Sequence, residues 1–186
     1  MALFEFLMVL VSIIVGLGMA EILAGVARAL RRRASIRFYW VHMVLVLAMF
    51  IALLQQWWEI WGLRVASEWS FLALLVMLTA PVCLFLIAHL LFPEPVDGAD
   101  FQEYYYREMR PIWLLGVVAV VASTSCRPLF FDETLFSADN ATSFLGFVGF
   151  VMLFTSKRRK LHATFISLLL ILLLLDILRW NPVIQG

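Results

Sequence analysis

Leu3–Ala27 reads LFEFLMVLVSIIVGLGMAEILAGVA, an apolar run with Glu21 inside it that ends shortly before Arg31, Arg32 and Arg33. A helix rises 1.5 Å per residue, so about 20 apolar residues cross a hydrocarbon core of ~30 Å, and this run is long enough to do so. A cleaved signal peptide would open on a basic stretch, whereas this run has Glu5 near its start, and the segment is expected to remain as a helix.

The same reading extends along the chain. Its 186 residues are 64% hydrophobic with a mean hydropathy of +0.98, against ~45–50% apolar residues in a soluble domain. Six spans are predicted at about 4–29, 39–63, 69–92, 111–131, 138–156 and 161–180. The fold class is therefore an all-α integral membrane protein, one transmembrane domain over 1–186, with no room for a separate soluble domain. The fifth span depends on a helix start near Ser137 or Asp139, both good N-cap residues. The net charge of +1 creates no basic field for nucleic acid. Cys83 and Cys126 lie in different apolar segments without metal spacing and read as small packing residues.

Lysine and arginine set the orientation. Arg28, Arg31, Arg32, Arg33 and Arg37 follow span 1, Arg107 and Arg110 precede span 4, and Lys157, Arg158, Arg159 and Lys160 separate spans 5 and 6. With six spans all three clusters fall on one side, which predicts a multi-pass protein of a plasma membrane, the bacterial inner membrane, with both termini extracytoplasmic.

The connection PEPVDGADFQEYYYREMR, Pro93–Arg110, carries its own signals. Asp100 and Glu103 have capping-box spacing, and Phe101, Tyr104 and Tyr105 share a face, which predicts an interfacial helix over about 100–110, broken from span 4 at Pro111. Its aromatic face is read as a membrane anchor, with a gate or docking surface as the alternative. All seven tryptophans, including Trp113, fall near predicted span ends and read as an aromatic belt.

Span 1 carries Ser12, Gly16, Ala20 and Ala24 at four-residue spacing, a stripe that lets another helix approach closely. Span 4 is similarly small around Gly116, Ala119 and Ala122, so a contact between spans 1 and 4 is expected. Spans 1 and 4 are both small-rich, 2 and 5 aromatic-rich, and 3 and 6 leucine-rich, the pattern of a weak 3+3 inverted repeat.

Glu21 falls ~6 Å from the midpoint of span 1 by helical rise. It reads either as a proton or cation carrier or as a neutral acid hydrogen-bonded across a helix interface. A second polar set comprises Gln55, Gln56 and Glu59 on span 2, Arg127 on span 4, and Asp176 and Arg179 on span 6. These could form an outer vestibule, or Asp176 and Arg179 could pair locally at i and i+3. His42, His89 and His162 lie near inner span ends without metal or haem spacing and read as anchoring residues. No nucleophile, metalloprotease or phosphate-loop motif occurs, so neither metal nor cofactor is indicated and an enzyme is disfavoured.

The leading expectation is a small transporter or channel for a proton, cation or small solute, assembled as a homo-oligomer, with Glu21, Gln55, Glu59, Arg127 and Asp176 in its pathway. The alternative is a non-catalytic accessory or assembly subunit of a larger membrane complex. A membrane enzyme acting on a lipid or quinone ranks third.

Overall fold

A computed structural model of the chain describes residues 3–66, 69–131 and 141–179, apart from the side chains of Leu3, Arg127, Phe131, Ala141 and Arg179. In lipid the backbone has no water to bond, and the described chain satisfies itself as helices, with no sheet. The order is α1 (Leu3–Arg31), α2 (Trp40–Trp61) with a 3-10 turn at Gly62–Val65, α3 (Phe71–Leu90), the short α4 (Phe101–Glu108), α5 (Arg110–Phe131), α6 (Ala141–Thr155) and α7 (Arg159–Arg179). Five of these, α1, α2 with its extension, α3, α5 and α7, are long and apolar enough to cross a membrane. α6 is apolar but has only 15 residues, and the start expected near Ser137 or Asp139 lies outside the described residues.

With Leu7 beside it, the buried face of α1 runs through Met8, Val11, Val15, Gly18, Ile22, Gly25 and Ala29, alternating steps of three and four residues. That alternation stays on one side of a helix, whereas a strict step of four drifts around it. Gly18 lets Leu53 of α2 and the Phe85 backbone of α3 approach, and Gly25 makes room for the Phe92 ring. Matching Gly18 with Phe85 and Gly25 with Phe92 makes α1 and α3 parallel, and the rings of Phe4 and Trp69, 6.2 Å apart, continue the register at the other end.

α3 stands between α1 and α5 and packs against both. The close contact expected between spans 1 and 4 is therefore replaced by two others. The small residues of α5, Ala119 and Ala122, meet Ala80 and Cys83 of α3, and Gly116 receives Phe150 of α6. Val120 lies 3.7 Å from where a side chain on Gly146 would begin, so α5 and α6 are antiparallel. α7 packs chiefly on α2 and runs parallel to it, with Asp176 reaching Gln55 near their C-terminal ends. The two halves do not repeat each other. Among the described residues α1, α2 and α3 pack mutually, whereas α7 rests chiefly on α2 and meets α5 at His162 and Trp113, so the compositional likeness has no counterpart in the packing.

α4 closes one end of the bundle. Asp100 caps it by accepting from the N–H groups of Gln102 (2.8 Å) and Glu103 (3.1 Å), but Glu103 does not complete a capping box because its carboxylate pairs with Arg107 one turn on, at 2.8 Å. Gly98, at φ 73°, supplies the left-handed turn before it. Backbone bonds from Arg37 N–H to Ala99 C=O and from Phe101 N–H to Arg37 C=O, each 3.0 Å, pin α4 to the α1–α2 connection. Pro111 sits in the first turn of α5, where its missing N–H leaves nothing unsatisfied.

Candidate functional site

The charged and amide side chains collect at the two ends of the bundle. Between them the core is Val11, Val15, Met49, Leu53, Met77 and Leu84.

At the α4 end the aromatic face turns inward. Phe101 and Tyr105 are fully buried and Tyr104 half-buried, so this face packs on protein and is not the lipid anchor its composition suggested. The reason is the Arg37–Asp100 bridge, which ties α4 flat against the helix ends beneath it. Tyr104 donates its hydroxyl to the carbonyl of Leu90 at 2.8 Å, satisfying an acceptor that the last turn of α3 leaves open. Burial first, and then the charges of Glu108 and Glu94, push the Tyr104 hydroxyl above its ordinary range.

His42 and His162, expected as anchoring residues at span ends, are instead 0% and 2% exposed. The ring of His42 is enclosed by Phe92, Phe101, Tyr104 and Tyr105, with centroids 5.0 to 6.4 Å away, and the Leu91 backbone is beside it. Neither of its nitrogens reaches a partner in full hydrogen-bond geometry. His162 is fully engaged. Its Nε2 lies 2.7 Å from the Ser156 carbonyl, which can only accept, so Nε2 carries the hydrogen and Nδ1 accepts from the Tyr105 hydroxyl at 3.0 Å. Trp113 also belongs here. It is 2% exposed, with its ring centroid 5.7 Å from Tyr105 and 5.8 Å from His162, and so is a core residue and not part of a belt. Burial drives the Tyr105 hydroxyl strongly upward, which keeps it a neutral donor.

Glu21 has a partner that the sequence did not reveal. Its Oε2 lies 3.6 Å from Nδ1 of His89, an ion pair when the imidazole is protonated. Because α1 and α3 are parallel and in register, Glu21 is level with the last turn of α3, nearer the α4 end than its place in α1 implied. The pair is partly open, with 35% of the Glu21 side chain and 60% of the His89 side chain exposed.

At the opposite end, three hydrogen bonds join α2 to its neighbours, one of them from the Trp57 indole N–H to Ser12 of α1. Gln55 donates to Asp176 of α7, and Ser123 of α5 donates to Gln56 at 3.1 Å. The Gln55 carbonyl oxygen is buried without a hydrogen-bond partner. Glu59 lies one turn beyond, at the surface, while the side chains of Arg127 and Arg179 lie outside the described residues. Of the expected vestibule, Gln55 and Asp176 are thus brought together, while the neighbouring Gln56 pairs with Ser123.

Ser12, Gly16, Ala20 and Ala24 are all exposed on α1, and nothing lies within 4 Å of where a side chain on Gly16 would begin. Ser12 alone is engaged, accepting from the Trp57 indole N–H at 2.9 Å. Gly16 and Gly18 are two residues apart, about 200° around the helix, so one faces out while the other is buried.

Among the described residues no three His, Cys, Asp or Glu side chains converge as a metal site. The chain is a multi-pass, all-α protein of a lipid bilayer. Comparison with protein families, curated proteins and solved structures finds no match.

Proposed function

We propose that this protein is a non-catalytic subunit of a membrane complex, held to another transmembrane helix by the outward face of α1. The observation that carries this is the exposed run of Gly16, Ala20 and Ala24, open along a helix whose opposite face is locked into the bundle. In lipid, apolar surface alone does not drive association, so the small residues Gly16, Ala20 and Ala24, set among the exposed Val9, Ile13 and Leu23, matter because they let a second backbone approach closely between the larger side chains. The apolar centre of the bundle supports this role over a conduit.

In the proposed orientation the chain traverses the bilayer six times, α6 included, with the α4 end cytoplasmic and both termini outside. The gathering of Arg32, Arg37, Arg107 and Lys157 at the α4 end supports this. A second reading, transport of a proton or cation, is favoured by the Glu21–His89 pair, two titratable groups in contact beside the open face of α1.

Native mass spectrometry on protein extracted gently from its host membrane tests the proposal. The expected result is a fixed complex with a different membrane protein, lost on Gly16→Leu or Ala20→Leu while the monomer stays folded. A homo-oligomer or monomer indifferent to both substitutions overturns it, and flux that disappears in Glu21→Gln would establish the transport reading.

A further inference from the structure

A cleft of about 520 Å³ opens at the α4 end, between α4 and the connection from α6 to α7. Its size is that of a small-molecule site, commonly 300–1,000 Å³. Both carboxylates in its lining are used locally. Asp100 accepts two backbone N–H groups and lies 3.9 Å from Arg37, and Glu103 pairs with Arg107. Lys157 and Arg159 have no carboxylate partner among the described residues. The Arg159 guanidinium is held over the Tyr106 ring, 6.0 Å from its centroid, which fixes the cation at the wall of the cleft.

Tyr106 adds a neutral donor. Its hydroxyl shares one hydrogen bond with that of Tyr39 at 2.9 Å, and when Tyr106 accepts there its own hydrogen is free to point into the cleft. Burial, against the opposing charge of Arg159, pushes this hydroxyl above its ordinary range, so it stays protonated beside an anion. Two unpaired cations and one O–H around a common space are the donor set that a phosphate accepts from. The cleft begins where the apolar helices end, Lys157 lying two residues past α6 and Arg159 opening α7, at the depth of lipid headgroups.

We propose that this cleft binds a phosphate group, that of an anionic phospholipid headgroup, through Lys157, Arg159 and the Tyr106 hydroxyl. The inference does not depend on the role proposed for α1.

The test uses delipidated full-length protein in nanodiscs of phosphatidylglycerol or phosphatidylcholine, read by native mass spectrometry for retained lipid. Each cation near an anionic headgroup contributes roughly fivefold, so two give about a 25-fold preference for phosphatidylglycerol. That preference should be lost in Lys157→Gln/Arg159→Gln and kept in Arg28→Gln/Arg33→Gln, which removes equal charge from the other basic cluster. If both lipids are retained alike while inorganic phosphate binds wild type but not Lys157→Gln/Arg159→Gln, the phosphate comes from a soluble ligand. Equal retention with no phosphate binding, or an equal loss in both double variants, overturns the site.

Discussion

A methyl group added at Gly116 would begin 2.8, 2.9 and 3.0 Å from Cδ1, Cε1 and Cγ of Phe150. Ordinary carbon contacts lie at about 3.5–4.0 Å, so the ring or the helix must give by nearly 1 Å. The ring has little freedom to do so. It is buried, stacks on Trp113 with centroids 6.4 Å apart, and meets Phe165 edge-on at 5.9 Å. Overfilling a packed interior costs about 1–3 kcal/mol, while Gly→Ala in a helix returns about 1 kcal/mol through propensity. Gly16→Ala, in the open face of α1, collects the propensity gain without the clash. The difference between the two variants therefore isolates the packing at Gly116, about 1–3 kcal/mol or a 5- to 150-fold gap in the unfolding equilibrium. Reversible unfolding in mixed micelles, followed by tryptophan fluorescence, measures it, since Trp113 adjoins the ring. Equal shifts in both variants, within ~0.5 kcal/mol, would refute the register of α5 against α6.

Tyr105→Phe should cost about 1–3 kcal/mol because it leaves Nδ1 of buried His162 without its donor, and Tyr105→Phe/His162→Phe should cost less than the sum of the single changes in a double-mutant cycle. Asp100→Ala should cost about 1 kcal/mol and speed amide exchange in α4, leaving α1 to α3 protected. Tyr104, Tyr105 and Tyr106 all hold their protons more tightly when folded, so above pH ~10 the unfolded chain binds fewer protons than the native state. Stability is therefore full below pH ~10 and falls as pH rises further, and absorbance at 295 nm should show less tyrosinate in the folded protein than in the unfolded chain at the same pH.

The membrane class was legible because it rests on length and composition. A helix must cross ~30 Å of hydrocarbon whatever it packs against, so runs such as Leu3–Ala27 declare themselves. The N-cap at Asp100, the break at Pro111 and the gathering of basic clusters at one end were legible too, since each depends on local chemistry or on the parity of crossings. The buried face of α1 was also present, as the alternating steps from Met8 to Ala29, but the more regular Ser12–Gly16–Ala20–Ala24 spacing competed with it, and small residues suit either a buried contact or an open one.

What tertiary structure decided was partnership. Nothing near Glu21 in sequence points to His89, because their meeting depends on α1 and α3 being parallel and offset so that Gly18 meets Phe85. The inward turn of Phe101 and Tyr105 follows from a backbone bridge to Arg37, and with it the enclosure of His42 and the hydrogen bond to His162. Hydropathy records how much of a helix prefers lipid or protein to water, and it says nothing of which helix lies beside which. By itself the sequence determined the environment and the long apolar helices suited to cross it. Only the fold, through shape and register between helices, decided which polar groups meet.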